Sequence, residues 1–133
     1  MTEARQRHMR KASRLLRSVE NRASSDEPDA VAHTAYYAMF HAACAVLLWR
    51  GESPPKTHSS LIGRFGLAVR DLGIEGRQAG AALNAASDRR ATGDYAVSVQ
   101  LGRADAITAR DQARVFVDYC RSLQRKQRRK SPS

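Results

Sequence analysis

The chain is short of carboxylates, cysteine and aromatic residues, and each shortage excludes something. Its 133 residues include 13 Asp and Glu against 23 Lys and Arg, a formal net charge of +10. Cys44 and Cys120 are the only thiols. Two cysteines cannot build the disulfide framework of a small secreted domain, and no Cys-x-x-Cys or Cys/His cluster marks a zinc site. Free, buried thiols in a reducing cytoplasm are the expectation. The N-terminus is charged from its first residues and lacks the apolar stretch of a secretion signal. Strand signals are missing too. Val97 and Val99 alternate, but a lone strand has nothing to pair with. There is no glycine-rich phosphate loop, no dinucleotide fingerprint and no local Ser/His/Asp signature. No carboxylate pair is placed for acid–base work.

What is present is helix. The longest nearly uncharged stretch is DAVAHTAYYAMFHAACAVLLWRG, Asp29–Gly51, with no acid or base between Asp29 and Arg50. Its length matches a membrane span, but its two histidines, two tyrosines and many alanines argue for the central helix of a bundle. Basic charge collects at both ends. Residues 1–22 hold seven Arg/Lys and two acids, residues 121–133 hold six and none, and the body between holds ten bases and eleven acids. Such ends suit nucleic acid or an acidic protein surface, and solvated helix ends look the same in sequence.

Residues 3–23 place Met9, Ala12, Leu16, Val19 and Ala23 on one apolar stripe. SSDEPD breaks that helix, and Asp29 is expected to cap the next. ESPPKTHSS reads as a loop because paired prolines remove donors. Ser59 or Ser60 is expected to cap a third helix with Leu61, Phe65, Ala68 and Leu72 inward, stopped by Gly73. A fourth covers about Gln78–Arg89, with Ala79, Ala82, Leu83 and Ala86 inward. RRATGDYAVSVQLG has no helical period and reads as an ordered loop or a frayed start to the last helix. From about Arg103, Ala106, Ala109, Ala113, Phe116, Cys120 and Leu123 repeat the three-four spacing. The expectation is all-α: an up-and-down bundle of four to five helices, one domain over 1–123, with a basic tail over 124–133 and disorder in its last three residues.

Polar groups of interest fall into three sets, each with a plain structural reading beside the functional one. Asp29, His33, Tyr37 and His41 recur every fourth residue and form a drifting polar stripe, beside Tyr36 and Phe40. It either lines a groove or hydrogen-bonds buried loops while its rings pack. His33 and His41 stand about 12 Å apart along the axis, too far to share a metal. Lys56 and His58 precede the third helix, where an anion is favoured, or His58 simply caps or packs. Arg89, Arg90, Asp94 and Tyr95 form either a phosphate or ribose contact or an Arg–Asp pair that pins a loop.

The segments YYAMFHAA (Tyr36–Ala43), KTHS (Lys56–Ser59) and Arg90-x-x-x-Asp94-Tyr95, in that order, resemble the HEPN domain family, in particular its small stand-alone bacterial branch. The likeness runs from about Val31 to the last helix. It implies a compact all-α bundle, commonly dimeric, with a functional groove between central and C-terminal helices. Members include metal-independent endoribonucleases, often toxins encoded beside a minimal nucleotidyltransferase, and non-catalytic nucleotide- or RNA-binding proteins. The nucleases carry an Arg followed, after four to six residues, by a His. No arginine here does so. Arg50 and His58 come nearest, with seven residues between them, and Asp94 and Tyr95 follow Arg90 instead. Thr34 also stands where this branch often has an Arg. The resemblance therefore implies a cytoplasmic domain that binds RNA or a nucleotide, or docks a nucleotidyltransferase-like partner, without the family's nuclease mechanism. Arg90 would contact phosphate or hold Asp94. Tyr37, His41 and Tyr95 would line the groove, with Lys56 and His58 at its mouth. No metal, cofactor or membrane is expected, and a homodimer is. The alternatives are a ribonuclease toxin using these histidines unusually, and a ligand-free dimerisation scaffold.

Overall fold

The computed structural model describes residues 2–22, 27–96 and 100–130, and all their side chains except those of 2 and 126–130. The expectations placed on Ala23, on Val97 and Val99 and on the last three residues lie outside these.

Five helices form the bundle: α1 (Thr2–Arg22), α2 (Pro28–Trp49), α3 (His58–Val69), α4 (Ile74–Tyr95) and α5 (Arg103–Lys130). Helix α2 touches all the others. Its buried residues, from Val31 and Ala32 through Tyr36 and Met39 to Ala42–Leu47, face every direction, which is why no single apolar stripe marks it. It is long and apolar enough to cross a membrane, and the most apolar window is 67% buried within the bundle, the position of a core helix. Alanine on most sides lets the neighbouring helices approach closely. Phe65 and Phe116, their rings tilted at 43° with centroids 5.0 Å apart, tie α3 to α5. Each ring removed from water contributes about 1.5–3 kcal/mol.

The helix ends differ from those expected. Glu27, not Asp29, occupies the cap of α2 and makes no side-chain cap bond. Pro28 follows at the first helical position, where its missing N–H costs nothing, and Asp29 sits in the first turn, where the helix dipole favours an acid. Thr57 caps α3, its hydroxyl accepting from the Ser60 N–H at 3.2 Å. That helix ends at Val69, so Leu72 is exposed rather than inward. Gly73, at φ 93°, then opens α4.

The largest correction concerns α4, which continues to Tyr95 through the segment read as a loop. Its inward positions are Ala79, Leu83, Ala86, Arg90 and Gly93. The period persists, but the last two places hold a cation and a residue without a side chain. A Cβ at Gly93 would fit tightly, 3.2 Å from the Asp29 carboxylate and 3.0 Å from the Leu101 side chain. Helix α5 buries Ala106, Ala109, Ala113, Phe116, Cys120 and Leu123 as expected, and runs as helix through the basic segment to Lys130. Burial pushes the Cys44 thiol up to about 12 and raises that of Cys120 as well.

Helices α1 and α5 run antiparallel. Arg5 donates to Gln124 at 3.0 Å, Arg121 to Ser13 at 2.7 Å and Arg114 to Glu20 at 2.8 Å. The loop after α2 returns the chain along that helix, so α3 begins beside Tyr36. Helix α4 then passes the same level in the opposite direction to α2. Three helices thus meet around one tyrosine.

Candidate functional site

Tyr36 is buried in α2. Its hydroxyl meets Nδ1 of His58 at 2.7 Å, with the Ser87 side chain of α4 beside it. The Tyr37 hydroxyl reaches Nε2 of the same imidazole at 3.3 Å. A neutral imidazole has one donor and one acceptor nitrogen, so one tyrosine donates to it and the other accepts. Phe40, one turn on, packs on both tyrosines and lies 5.2 Å from His58, fixing the rings. Burial holds the His58 pKa below its usual value, and the Arg90 cation lowers it further.

Arg90 lies across this aromatic floor with its guanidinium carbon 5.2 Å from the Tyr36 ring centroid. Its side chain is only 12% exposed. Asp94, one turn later, meets Nη1 at a long 3.5 Å and receives His33 of α2 at 3.1 Å. The Arg90 Nε is buried and has no hydrogen-bond partner among the described residues. Leaving such a donor unsatisfied costs about 1–3 kcal/mol, more for a charged group. The guanidinium is therefore oriented, apart from bulk water, and short of acceptors.

Of the seven candidate residues, Tyr37, His58, Arg90 and Asp94 lie together, and Tyr36, His33 and Ser87 join them. Tyr36 opens the YYAMFHAA motif and lies beside the stripe, whereas nothing in the sequence singles out Ser87. Lys56 is exposed and makes no ion pair among the described residues. Tyr95 is 74% exposed and stands outside the cluster. The evenly spaced stripe on α2 is divided among three partners: His33 to Asp94, Tyr37 to His58, and His41 to His8 of α1.

That last pair is a separate feature. The Nδ1 atoms of His8 and His41 lie 3.0 Å apart with the rings stacked at 5.2 Å. Burial, then His8, Lys11 and Arg14, lower the His41 pKa from 6.5 to about 4. These cations also make the pair a poor home for a metal, and no group of three or more His, Cys, Asp or Glu among the described residues is arranged to hold one. Because the folded value lies below the unfolded one, the unfolded chain takes up the proton first as pH falls. The stabilisation is complete above pH 6.5 and is lost progressively toward pH 4. For a half-buried group, after allowing for solvent screening, about 1–2 kcal/mol is expected. Urea melts at several pH values should show this decline, and His41→Gln should flatten it; an equally steep variant would place the titration elsewhere.

A groove of about 580 Å³ between α4 and α5 is lined by Glu75, Gln112, Phe116 and Tyr119 among others, and contains none of the cluster residues. Volume alone does not mark the chemistry here.

Comparison with known proteins agrees with the motifs. A family model described as HEPN domain matches residues 6–123. The chain is also 31% identical, over 120 residues, to a protein of Archaeoglobus fulgidus described as a UPF0332 protein, an alignment covering 90% of this chain and 94% of that one.

Proposed function

The chain belongs to the HEPN domain family, and from that premise we propose that it recognises a ribonucleotide phosphate, free or within RNA, through Arg90 and the Tyr36–Tyr37–His58 floor. The observation that carries this is the Arg90 guanidinium, held by Tyr36 and Asp94 with a buried Nε that lacks an acceptor. A planar guanidinium binds phosphate oxygens in pairs. The aromatic rings beside it provide a surface for a base or ribose, and stacking of this kind is tolerant of sequence.

Binding is favoured over cleavage by the state of His58. Both of its ring nitrogens already face tyrosine hydroxyls, leaving neither free to accept a proton from a 2′-hydroxyl. The arginine and imidazole that the family's nucleases place on one helix come here from α4 and from the start of α3. The proposal extends to a homodimer working beside a nucleotidyltransferase-type partner in a toxin–antitoxin-like module. Leu67, Leu72, Ile74 and Val115, all exposed and all away from the cluster, support a protein-facing surface.

Calorimetric titration with uridine monophosphate tests the reading. Saturable binding is expected, with a melting temperature that rises with ligand. Tyr37→Ala should weaken affinity by about tenfold, the loss of one stacking contact. Absence of both heat and melting shift in the unaltered protein would refute it.

A further inference from the structure

The antiparallel pairing of α1 with α5 does something the chain order conceals. It sets the arginine-rich start of α1 beside the basic end of α5, joining at one end of the bundle two excesses that lie at opposite termini of the sequence. Six surface arginines are paired with carboxylates, while Arg50, Arg77 and Arg103, scattered over other elements, show no such pair among the described residues. Arg7 pairs with Glu3, Arg64 with Glu52, Arg70 with Asp71, Arg110 with Asp111, Arg114 with Glu20 and Arg121 with Asp118. Arg10, Lys11, Arg14 and Arg17 have no carboxylate within reach among the described residues. Arg10, Arg14 and Arg17 line a shallow groove of about 410 Å³ with Met9 and Ser13. Along the helix they rise by about 6 Å and then 4.5 Å, one cation per turn on one side. Like charges at this spacing work against the helix.

We propose that Arg10, Arg14 and Arg17 form a track for the phosphodiester backbone of single-stranded RNA, leading away from the Arg90 cluster. This rests on the phosphate-binding reading of that cluster and adds a second, separable contact surface. The two are joined by side chains. Lys11 and Arg14 are near enough to His41 to act on its charge. His41 stands edge-on to Phe40 at 5.3 Å, and Phe40 packs against Tyr37 and His58. A strand gripped by Arg90 thus has a continuous wall to follow toward α1.

Other partners fit less well. A protein interface needs apolar anchors at its centre, and the exposed large apolar side chains all lie beyond α1, at Leu67, Leu72, Ile74, Tyr95 and Val115. A lipid surface needs a free apolar face on the basic helix, but that of α1 is spent on the core through Ala12, Leu16 and Val19. Repeated anions on a flexible strand need only regularly spaced cations. Met9 and Ser13 between them add no stacking platform, so the track holds backbone and reads no base.

The test is fluorescence anisotropy of a labelled oligouridylate about 12 nucleotides long, measured over a range of KCl concentrations. Single-strand binding loses about 0.7 in the slope of log K against log salt for each phosphate neutralised. Three track arginines plus Arg90 predict a slope of about −3, falling to about −0.7 in the triple variant Arg10→Gln/Arg14→Gln/Arg17→Gln, with at least tenfold weaker binding at low salt. All three positions are exposed and their like charges oppose the helix, so its melting temperature should not fall. The control Arg64→Gln/Arg70→Gln/Arg110→Gln alters net charge equally and should keep the slope. Uridine monophosphate separates the two sites: the triple variant should bind it normally. If the unaltered protein ignores the mononucleotide while the triple variant still loses the RNA slope, the cluster reading falls and the track stands. An unchanged slope in the triple variant, or an equal loss in the control, would overturn the track. Displacement of the RNA by polyglutamate at matched charge would also overturn it, in favour of an acidic protein surface.

Discussion

Gly76→Ala is expected to destabilise the protein by about 3 kcal/mol or more, the upper range for overpacking a site that cannot yield. A Cβ at this position would lie 2.0 Å from the Val69 carbonyl oxygen, 3.0 Å from its carbon and 3.1 Å from the Tyr119 hydroxyl. The first two atoms are backbone. They belong to the end of α3, which is held by buried Leu61, Phe65 and Val69, so the corner cannot open without lifting those side chains from the core. Gly80, one turn along the same helix, is the control. A Cβ there meets only the Cα of Gly66 at 3.5 Å, an ordinary contact. Gly80→Ala should therefore gain about 0.5–1 kcal/mol from helix propensity and unfolded-state entropy. Urea denaturation of both variants checks the pair. Equal stabilities would mean that α3 and α4 do not meet at Gly76 as described.

Arg90→Met should leave the fold intact and remove the binding. The substitution loses the cation stacked on Tyr36 and the long contact to Asp94. It also removes a buried donor that lacks an acceptor. These changes oppose each other, so stability should stay within about 1 kcal/mol of the unaltered protein. Binding has no such compensation. Loss of charge-assisted hydrogen bonds worth about 1.5–3 kcal/mol should weaken uridine monophosphate by roughly 10- to 100-fold. His58 supplies an independent readout. With the Arg90 cation gone, its pKa should rise part of the way to 6.5, burial remaining the larger cause of its depression. An imidazole titration followed by NMR would show that shift. A variant that binds normally while His58 moves would confine Arg90 to a structural role.

Where apolar residues fall at helical period, sequence and structure agree. Most inward residues of α1, α5 and the first half of α4 were legible, because burial of an apolar face follows directly from the spacing of its side chains. Buried Val117 and Gln124 of α5 and Gly76 of α4, which begins at Ile74 rather than near Gln78, were not. Nor was the second half of α4. Arg90 and Gly93 stand at inward positions without apolar character, and the period is invisible to any reading that tracks hydrophobicity. One of the two, Arg90, is the cation of the site, and the other packs closely against Asp29 and Leu101. Capping failed for a smaller reason. Glu27 and Thr57 stand only a few residues from the expected caps, and several polar residues competed for each place.

Composition and periodicity alone determined that this chain is an all-helical bundle with the Asp29–Gly51 stretch at its centre, and the ordered motifs alone determined its resemblance to the HEPN family. Only the tertiary structure decided what the polar groups do. It brought His58 to Tyr36 across 22 residues and set Arg90 over the same ring. It sent His41 to His8 and left Tyr95 in solvent. It joined the two basic ends through contacts such as Arg5 to Gln124, 119 residues apart. A period of 3.6 says which face of a helix is buried and nothing about which neighbour covers it. That choice belongs to loop lengths and to the fit of one helix against another.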